Sequence, residues 1–412
     1  MYLIMLALAS IGLSDAEACS PEEYYQANMA LSQYLGLDKN DNEKTKMRPL
    51  VYRSTATPIY VDLYVSSIIN VDEKAQSLTT QVKMITAWPK MRWNKTMFCG
   101  METFAAPKYL FWTPDIGIME SIKTDFGTKE SPYVMLLSSG LVASADFLSL
   151  TTACKMNLYR FPFDSHTCNI TLQSTAYSIH EITIDEITNA NGITLKSKEI
   201  FQTQGEWELI RINVTKAIFT IIIEGLKMDQ LIYQITIKRR PLLYFINFML
   251  PVFLFLVLDV MSFCIDGRGT DKLSFKMTLL LAISVFLLIL NDILPSTADQ
   301  IPLIGIYYSV IFILIGISIL ETILVNLLKA KGAEKRSVET TATVTDQDDS
   351  VSDLNEEPSS TLNCCAPVQQ NQQEKTCLGW TRVARIIDVI FLILYIITII
   401  VFLSVLGKLW SS

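Results

Sequence analysis

Histidine is nearly missing from this sequence: His166 and His180 are the only two. Eight cysteines occur, but no C-x-x-C pair and no HExxH helix. No nucleophile–base pair and no metal-ligand spacing stands out, so no enzyme, cofactor or metal site is expected. A basic surplus is lacking too. The formal net charge is -7 with no strongly basic patch, which excludes nucleic acid as an expected partner. The first twenty residues carry no Lys or Arg. Aromatic residues are absent from Gly332 to Thr376, where Ser, Thr, Gln and acids prevail. Such a stretch cannot bury enough apolar surface to order itself, and it reads as a disordered loop.

Apolar residues, by contrast, make up 50% of the chain, and the mean hydropathy is +0.33. Those values point to several membrane segments plus at least one aqueous domain. Residues 1–18 end in Ala16-Glu17-Ala18, an A-x-A pattern after a short apolar core, and read as a signal peptide despite the missing basic start. The apolar run is too short for a span. The expected mature chain starts at Cys19, outside the cytosol.

Residues 19–241 then form an expected extracellular domain. Its main part, from about residue 45, is rich in β-branched and aromatic runs such as Tyr60–Val65, with no long helical pattern between them. A β-sandwich is predicted, preceded by a helical stretch at Pro21–Leu37. Three sequons, at Asn94, Asn169 and Asn213, fit a secreted, glycosylated domain. Cys154 and Cys168 enclose thirteen residues. In an oxidising compartment they close a loop worth about 3 kcal/mol; the alternative is two unpaired buried thiols. Phe161-Pro162-Phe163-Asp164 at its tip is too apolar for a solvated loop and is expected to plug against something apolar.

Four spans follow: Leu242–Ile265, the stretch around Asp271–Asp292, Pro302–Leu328 and Ile386–Leu406. With the β domain outside, the loop 329–385 is cytosolic and the tail 408–412 is extracellular. Lys329, Lys331, Lys335, Arg336, Arg382 and Arg385 in that loop agree with a positive inner side; Lys238-Arg239-Arg240 before the first span does not. Cys364, Cys365 and Cys377 in the loop are expected to stay reduced.

The second span, with its helix expected at about 271–294, has an unusual face. Asp271, Ser274, Thr278, Leu281, Val285, Leu288 and Asp292 recur at three- and four-residue steps and share one side of a helix. The stripe has a carboxylate at each end, hydroxyls near one end and aliphatic residues in the middle. Intramembrane charge is tolerated facing water or a bundle interior. Several copies around an axis would stack acidic rings, which select cations, around an aliphatic constriction, which gates by dewetting. A buried helix of a transporter core is the plainer alternative.

The loop CKMNLYRFPFDSHTC resembles the signature loop of the pentameric Cys-loop ligand-gated channels. Trp112-Thr113-Pro114-Asp115, Gly205-Glu206-Trp207-Glu208-Leu209 and Arg239-Arg240-Pro241 are similar to further family motifs. Ser274–Ala298 resembles the pore helix of serotonin type-3 receptor subunits, particularly the non-A ones. The resemblance implies a plasma-membrane pentamer of homologous subunits, a small extracellular agonist, and permeant cations moving along the second span. The postsynaptic membrane is one location it allows. Leu281 matches the central gate and Asp271 the cytosolic acidic ring, and the Pro-Ala insertion of anion channels is lacking. Phe161, Pro162, Phe163, Asp164 and Arg240 become candidate coupling residues between domain and pore.

The agonist box is incomplete. By spacing, Thr175 stands where a Trp is expected, Lys227 and Met228 where tyrosines are, and Ala145 where another Tyr is. Trp88, Glu120 and Trp207 remain as the candidate ligand set, although strand packing explains Trp88 and Trp93 better than an amine site does. The resulting reading is an auxiliary subunit of a cation-selective, serotonin type-3-like heteromer. The alternatives are a homomer gated by zinc, protons or another small ligand, and a non-conducting assembly partner.

Overall fold

The structure, a computed structural model, describes residues 19–37, 47–49, 55–126, 130–202, 205–221, 225–264, 269–293, 300–344 and 370–411. The signal-peptide expectation at residues 1–18 lies outside them. The chain divides into two compact units: one runs up to Met156 and includes Ser165–Arg239, the other comprises Asn157–Asp164 and the chain from Arg240.

In the first unit, helix α1 spans Pro21–Tyr34. Ser20 caps it, and Glu23 reaches back to the Ser20 N–H in a capping box. Those bonds hold the Glu23 carboxyl below its usual range. A disulfide from Cys19 to Cys99 fixes the helix start, and Tyr34 packs on Phe98 at the other end, ring centroids 5.7 Å apart. The strands are β1 Thr57–Asp72, β2 Ser77–Pro89, β3 Thr103–Pro107, β4 Ile116–Ile118, β5 Ser121–Phe126, β6 Tyr133–Leu137, β7 Leu141–Ala153, β8 Ser165–Ser174, β9 Ile182–Asp185, β10 Trp207–Thr220 and β11 Lys227–Arg239. One sheet has the order β3-β6-β7-β2-β1-β9 with β5 on β7; the other has the order β10-β11-β8-β4. Strict alternation drives this arrangement. Along β11, Leu231, Tyr233, Ile235 and Ile237 all point inward, meeting Ile59, Val61, Leu63 and Val65 of β1 in one core. Tyr233 donates its hydroxyl to the Val61 carbonyl at 2.7 Å, and burial pushes its phenol well above the ordinary range.

One element departs from the all-β expectation. Helix α2, Ala190–Ile200, lies between β9 and β10. Asn189 caps it by accepting from the Gly192 N–H at 2.8 Å, and the Thr194 hydroxyl bonds both the N–H and the carbonyl of Ile212. The helix therefore rests on its cap and on docking to β10, not on a strong apolar period.

Among its described residues, the second unit contains four helices long and apolar enough to cross a membrane. They are α3 Leu242–Ser262, α4 Gly269–Ile293, α5 Leu303–Val344 and α6 Gln370–Ser411. Phe245–Met249 forms a π turn in α3 just before Pro251. Proline has no N–H to donate, so the carbonyl one turn back, that of Asn247, loses its helical partner. Separately, the hydroxyls of Tyr307 and Tyr308 on α5 donate to the Met249 and Phe248 carbonyls at 3.0 and 2.9 Å, which ties α5 to this turn of α3. The third and fourth helices extend into the stretch read as a disordered loop: α5 continues to Val344 and α6 starts at Gln370. Residues 345–369 lie outside the described ones. At its other end α6 continues helical through Ser411, where a tail was expected.

Candidate functional site

The outward stripe of α4 is the first component. Asp271, Ser274, Thr278, Leu281, Val285, Leu288 and Asp292 are all exposed on the unit. Leu281 and Leu288 are each 68% accessible. The opposite face buries Lys276, Leu279, Ile283 and Leu290 against the other helices. Ser284 and Thr278 turn their hydroxyls back to the carbonyls of Leu281 and Phe275, as helical hydroxyls do when no external partner is supplied. The stripe is thus one surface, acidic at both ends and aliphatic at the centre, carried on a helix whose other side is packed.

That packed side holds a polar network that sequence reasoning left without a role. Lys276 is fully buried, 3.7 Å from Asp259 of α3, itself fully buried. The Lys276 ammonium donates to the Ser318 carbonyl at 3.3 Å and to the Ser318 hydroxyl. It also lies 3.8 Å above the Phe263 ring. Ser318 and Tyr395 in turn donate to the two Asp259 oxygens at 3.1 and 2.7 Å. One residue from each of the four helices joins this cluster. Lys272 pairs with Asp388 at 3.4 Å nearby. The signal was present in the sequence, since four apolar spans each carry an ionisable residue.

The signature loop is the second component. Cys154 and Cys168 form a disulfide. The tip, Asn157–Asp164, belongs to the helical unit. Phe161 is buried and meets Tyr244 of α3 edge-on at 5.1 Å. Phe163 meets Trp410 near the end of α6 at 5.8 Å, and the Tyr159 carbonyl accepts from the Leu303 N–H at the start of α5 at 2.8 Å. Phe161 and Pro162 are buried at the tip, Asp164 is buried beside them, and Phe163 is partly open. Replacing Cys154 by Ser should remove about 3 kcal/mol of cross-linking. Retention inside the cell is the expected outcome, and normal surface biotinylation of Cys154→Ser channels would contradict it.

Arg240 is exposed. The buried arginine is its neighbour Arg239, which pairs with Glu73 at 2.7 Å and Glu206 at 3.7 Å and lies 4.2 Å over the Trp207 ring. Strand alternation decides between the two, because Ile237 and Arg239 share the inward face.

The candidate ligand residues are not brought together. Trp88 is 1% exposed and sits in the β core, so alternation has turned it away from any ligand surface. Trp207 is likewise buried, between Arg239 and His166, and serves as a platform for the guanidinium. Glu120 is half-buried and accepts from the Thr171 N–H and hydroxyl at 2.7 and 2.5 Å, which ties its carboxylate to β8. Thr175 is exposed, but its N–H and hydroxyl both donate to Asp115. Met228 is buried, Lys227 and Ala145 are exposed. Beside Ala145 on the same strand face, Phe147 is already covered by the Lys83 ammonium at 5.6 Å. The sequon residues Asn94, Asn169 and Asn213 are all exposed.

Comparison with known proteins places these features in context. The family model described as neurotransmitter-gated ion-channel ligand binding domain matches residues 37–241. The model for the neurotransmitter-gated ion-channel transmembrane region matches residues 248–347. The 5-hydroxytryptamine receptor 3A of Mus musculus is 36% identical over 341 residues, 82% of this chain and 68% of that protein. The human 5-hydroxytryptamine receptor 3B is 26% identical over 321 residues, 77% of this chain and 70% of the relative. The human neuronal acetylcholine receptor subunit beta-3 is 30% identical over 290 residues, 68% of this chain and 60% of the relative.

Proposed function

Because this chain belongs to the neurotransmitter-gated ion-channel family, we propose that it is one subunit of a cation-selective pentamer of the serotonin type-3 kind. In it, α4 lines the pore. The observation that supports this most is the exposed stripe from Asp271 to Asp292. A face with carboxylates at both ends is costly against lipid but suits a water-filled axis, where repeated acids draw cations. Leu281, in the middle of the aliphatic part, is the constriction whose dewetting closes the path. The disulfide loop, with its tip packed on α3, α5 and α6, transmits movement of the outer domain to the pore.

The subunit acts as an auxiliary partner. Its own candidate box lacks exposed aromatic faces, so agonist binding falls to a neighbour whose box is complete. A co-assembled Asp271→Ala subunit tests the pore assignment. Losing one charge per subunit from the inner ring should lower single-channel cation conductance and shift the reversal potential in a dilution experiment. Unchanged conductance and reversal potential would remove α4 from the pore.

A further inference from the structure

We propose that the Cys19–Cys99 disulfide is a thiol-exchange site of the outer domain. A small neutral or cationic thiol opens it, and opening releases the first turns of α1. The two disulfides of the first unit stand in different surroundings. Cys154 and Cys168 are 5% and 1% exposed. Cys19 and Cys99 are both half-buried, and Ser20 and Gly100, next to them in the chain, are exposed. Exchange requires a thiolate to reach a sulfur, so access ranks the two bonds, and exposed disulfides are the labile ones. Cys99 and Gly100 also take left-handed backbone, with φ of +48° and +71°. Glycine adopts that conformation freely, whereas a cysteine resists it, a cost that opening can relieve.

What the bond holds is visible in α1. The helix docks through its second half: Leu31 and Leu35 are buried, Ala27 is partly so, and the Tyr34 hydroxyl donates to the Arg92 carbonyl at 3.5 Å. Residues 21–26 are exposed and rest on the Ser20–Glu23 capping box and the cross-link. A helix of this length is marginal without tertiary support, so opening the bond frays this end and leaves the docked half in place. The other side stays fixed. Trp93, Phe98 and Met101 are buried around Cys99, and Trp93 Nε1 donates to the Met101 carbonyl at 2.9 Å.

Charge sets the class of thiol. The Glu23 carboxylate accepts from the N–H of Ser20, the residue after Cys19, at 2.8 Å, and Glu22 lies in the same turn. Lys95, on the Cys99 side, is already paired with Glu102 at 2.6 Å. An anionic thiol is therefore repelled. In the exchange, a thiolate attacks one Sγ and forms a mixed disulfide, while the other cysteine leaves as a thiolate and takes a proton. A second thiolate attacks the reagent sulfur of that mixed disulfide and frees the remaining cysteine. The protein bond gains two electrons, and two reagent thiols end as one disulfide.

The proposal rests on the outer placement of the first unit, not on the pore or agonist assignments. Its test uses full-length chain recovered from the cell surface in detergent. Samples are treated with cysteamine or 2-mercaptoethanesulfonate, quenched with a maleimide and read by peptide mass spectrometry. Cys19 and Cys99 should be alkylated about tenfold faster than Cys154 and Cys168. Scaled to each reagent's rate with a small model disulfide, cysteamine should react about threefold faster than the sulfonate, and ~0.5 M salt should remove the difference. Opening by cysteamine should speed amide exchange at residues 24–27 about tenfold and leave residues 31–35 unchanged. C19S/C99S should show the fast exchange without any thiol and no further response to one. Equal alkylation of the two disulfides, a scaled rate no faster with cysteamine, or unchanged exchange at residues 24–27 after opening would overturn the site. So would a thiol response that persists in C19S/C99S. If that variant never reaches the surface, the rates and the exchange of the unaltered chain decide by themselves.

Discussion

Lys276→Met channels should fail to reach the cell surface. The substitution keeps the volume and the apolar stem but removes the ammonium that faces Asp259 at 3.7 Å. Asp259 is fully buried and keeps two donors, Ser318 and Tyr395. Its charge then has no counter-ion inside a low-dielectric bundle. Breaking one partner out of a buried pair typically destabilises by about 3–5 kcal/mol, against a total stability on the order of 5–15 kcal/mol for a folded domain. The pair as a whole is a weak source of stability, because two charges must first leave water. Asp259→Asn combined with Lys276→Met should therefore recover much of what Lys276→Met loses. Surface biotinylation and the thermal stability of detergent-extracted protein, read by size exclusion, give both arms. Full surface delivery of the single variant, or no recovery in the double one, would mean that the charges are solvated and the helix packing differs from that described.

Serotonin applied to cells expressing this chain alone should evoke no current at micromolar concentration. An ammonium ligand gains about 1–2 kcal/mol from each well-placed aromatic face. Thr175, Lys227 and Ala145 present no such face, Met228 is buried, and Trp88 and Trp207 are turned into the core. Losing two faces costs roughly 2–4 kcal/mol by that scale, or about 30- to 1000-fold in affinity. The exposed Lys227 and the Lys83 ammonium over Phe147 add positive charge where a cation would approach. Co-expression with a serotonin-responsive subunit should give currents whose conductance differs from that of the partner alone. A robust micromolar response from this chain by itself would refute the auxiliary role.

Much of the architecture is legible in the residues. Apolar runs of spanning length announce the four helices, and the three- and four-residue steps from Asp271 to Asp292 follow residues that are all exposed on α4. Thirteen residues between Cys154 and Cys168 locate the loop, and Phe161-Pro162-Phe163 tells that its tip must dock on apolar groups. Other features are hidden for definable reasons. Cys19 and Cys99 are 80 residues apart, and nothing local pairs them. Helix α2 depends on an Asn cap and a threonine docking to β10. The choice between Arg239 and Arg240, like the burial of Trp88 and Trp207, turns on strand register, where a shift of one residue reverses in and out. Composition marks Gly332–Thr376 as unable to form a core, but a helix that leaves the membrane can propagate into such a sequence once its costly first turn exists.

The most direct test of the pore assignment is cysteine accessibility along α4 in co-assembled channels. A small, charged thiol reagent is applied from the extracellular side during agonist exposure. Substitutions at Leu281, Val285 and Leu288, on the exposed face, should each permit rapid, irreversible block of the current. Substitutions at Leu279, Ile283 and Leu290, on the packed face, should leave the current unaffected by the reagent. Block at the buried set, or no block at either, would contradict the claim that the Asp271–Asp292 stripe faces the ion path.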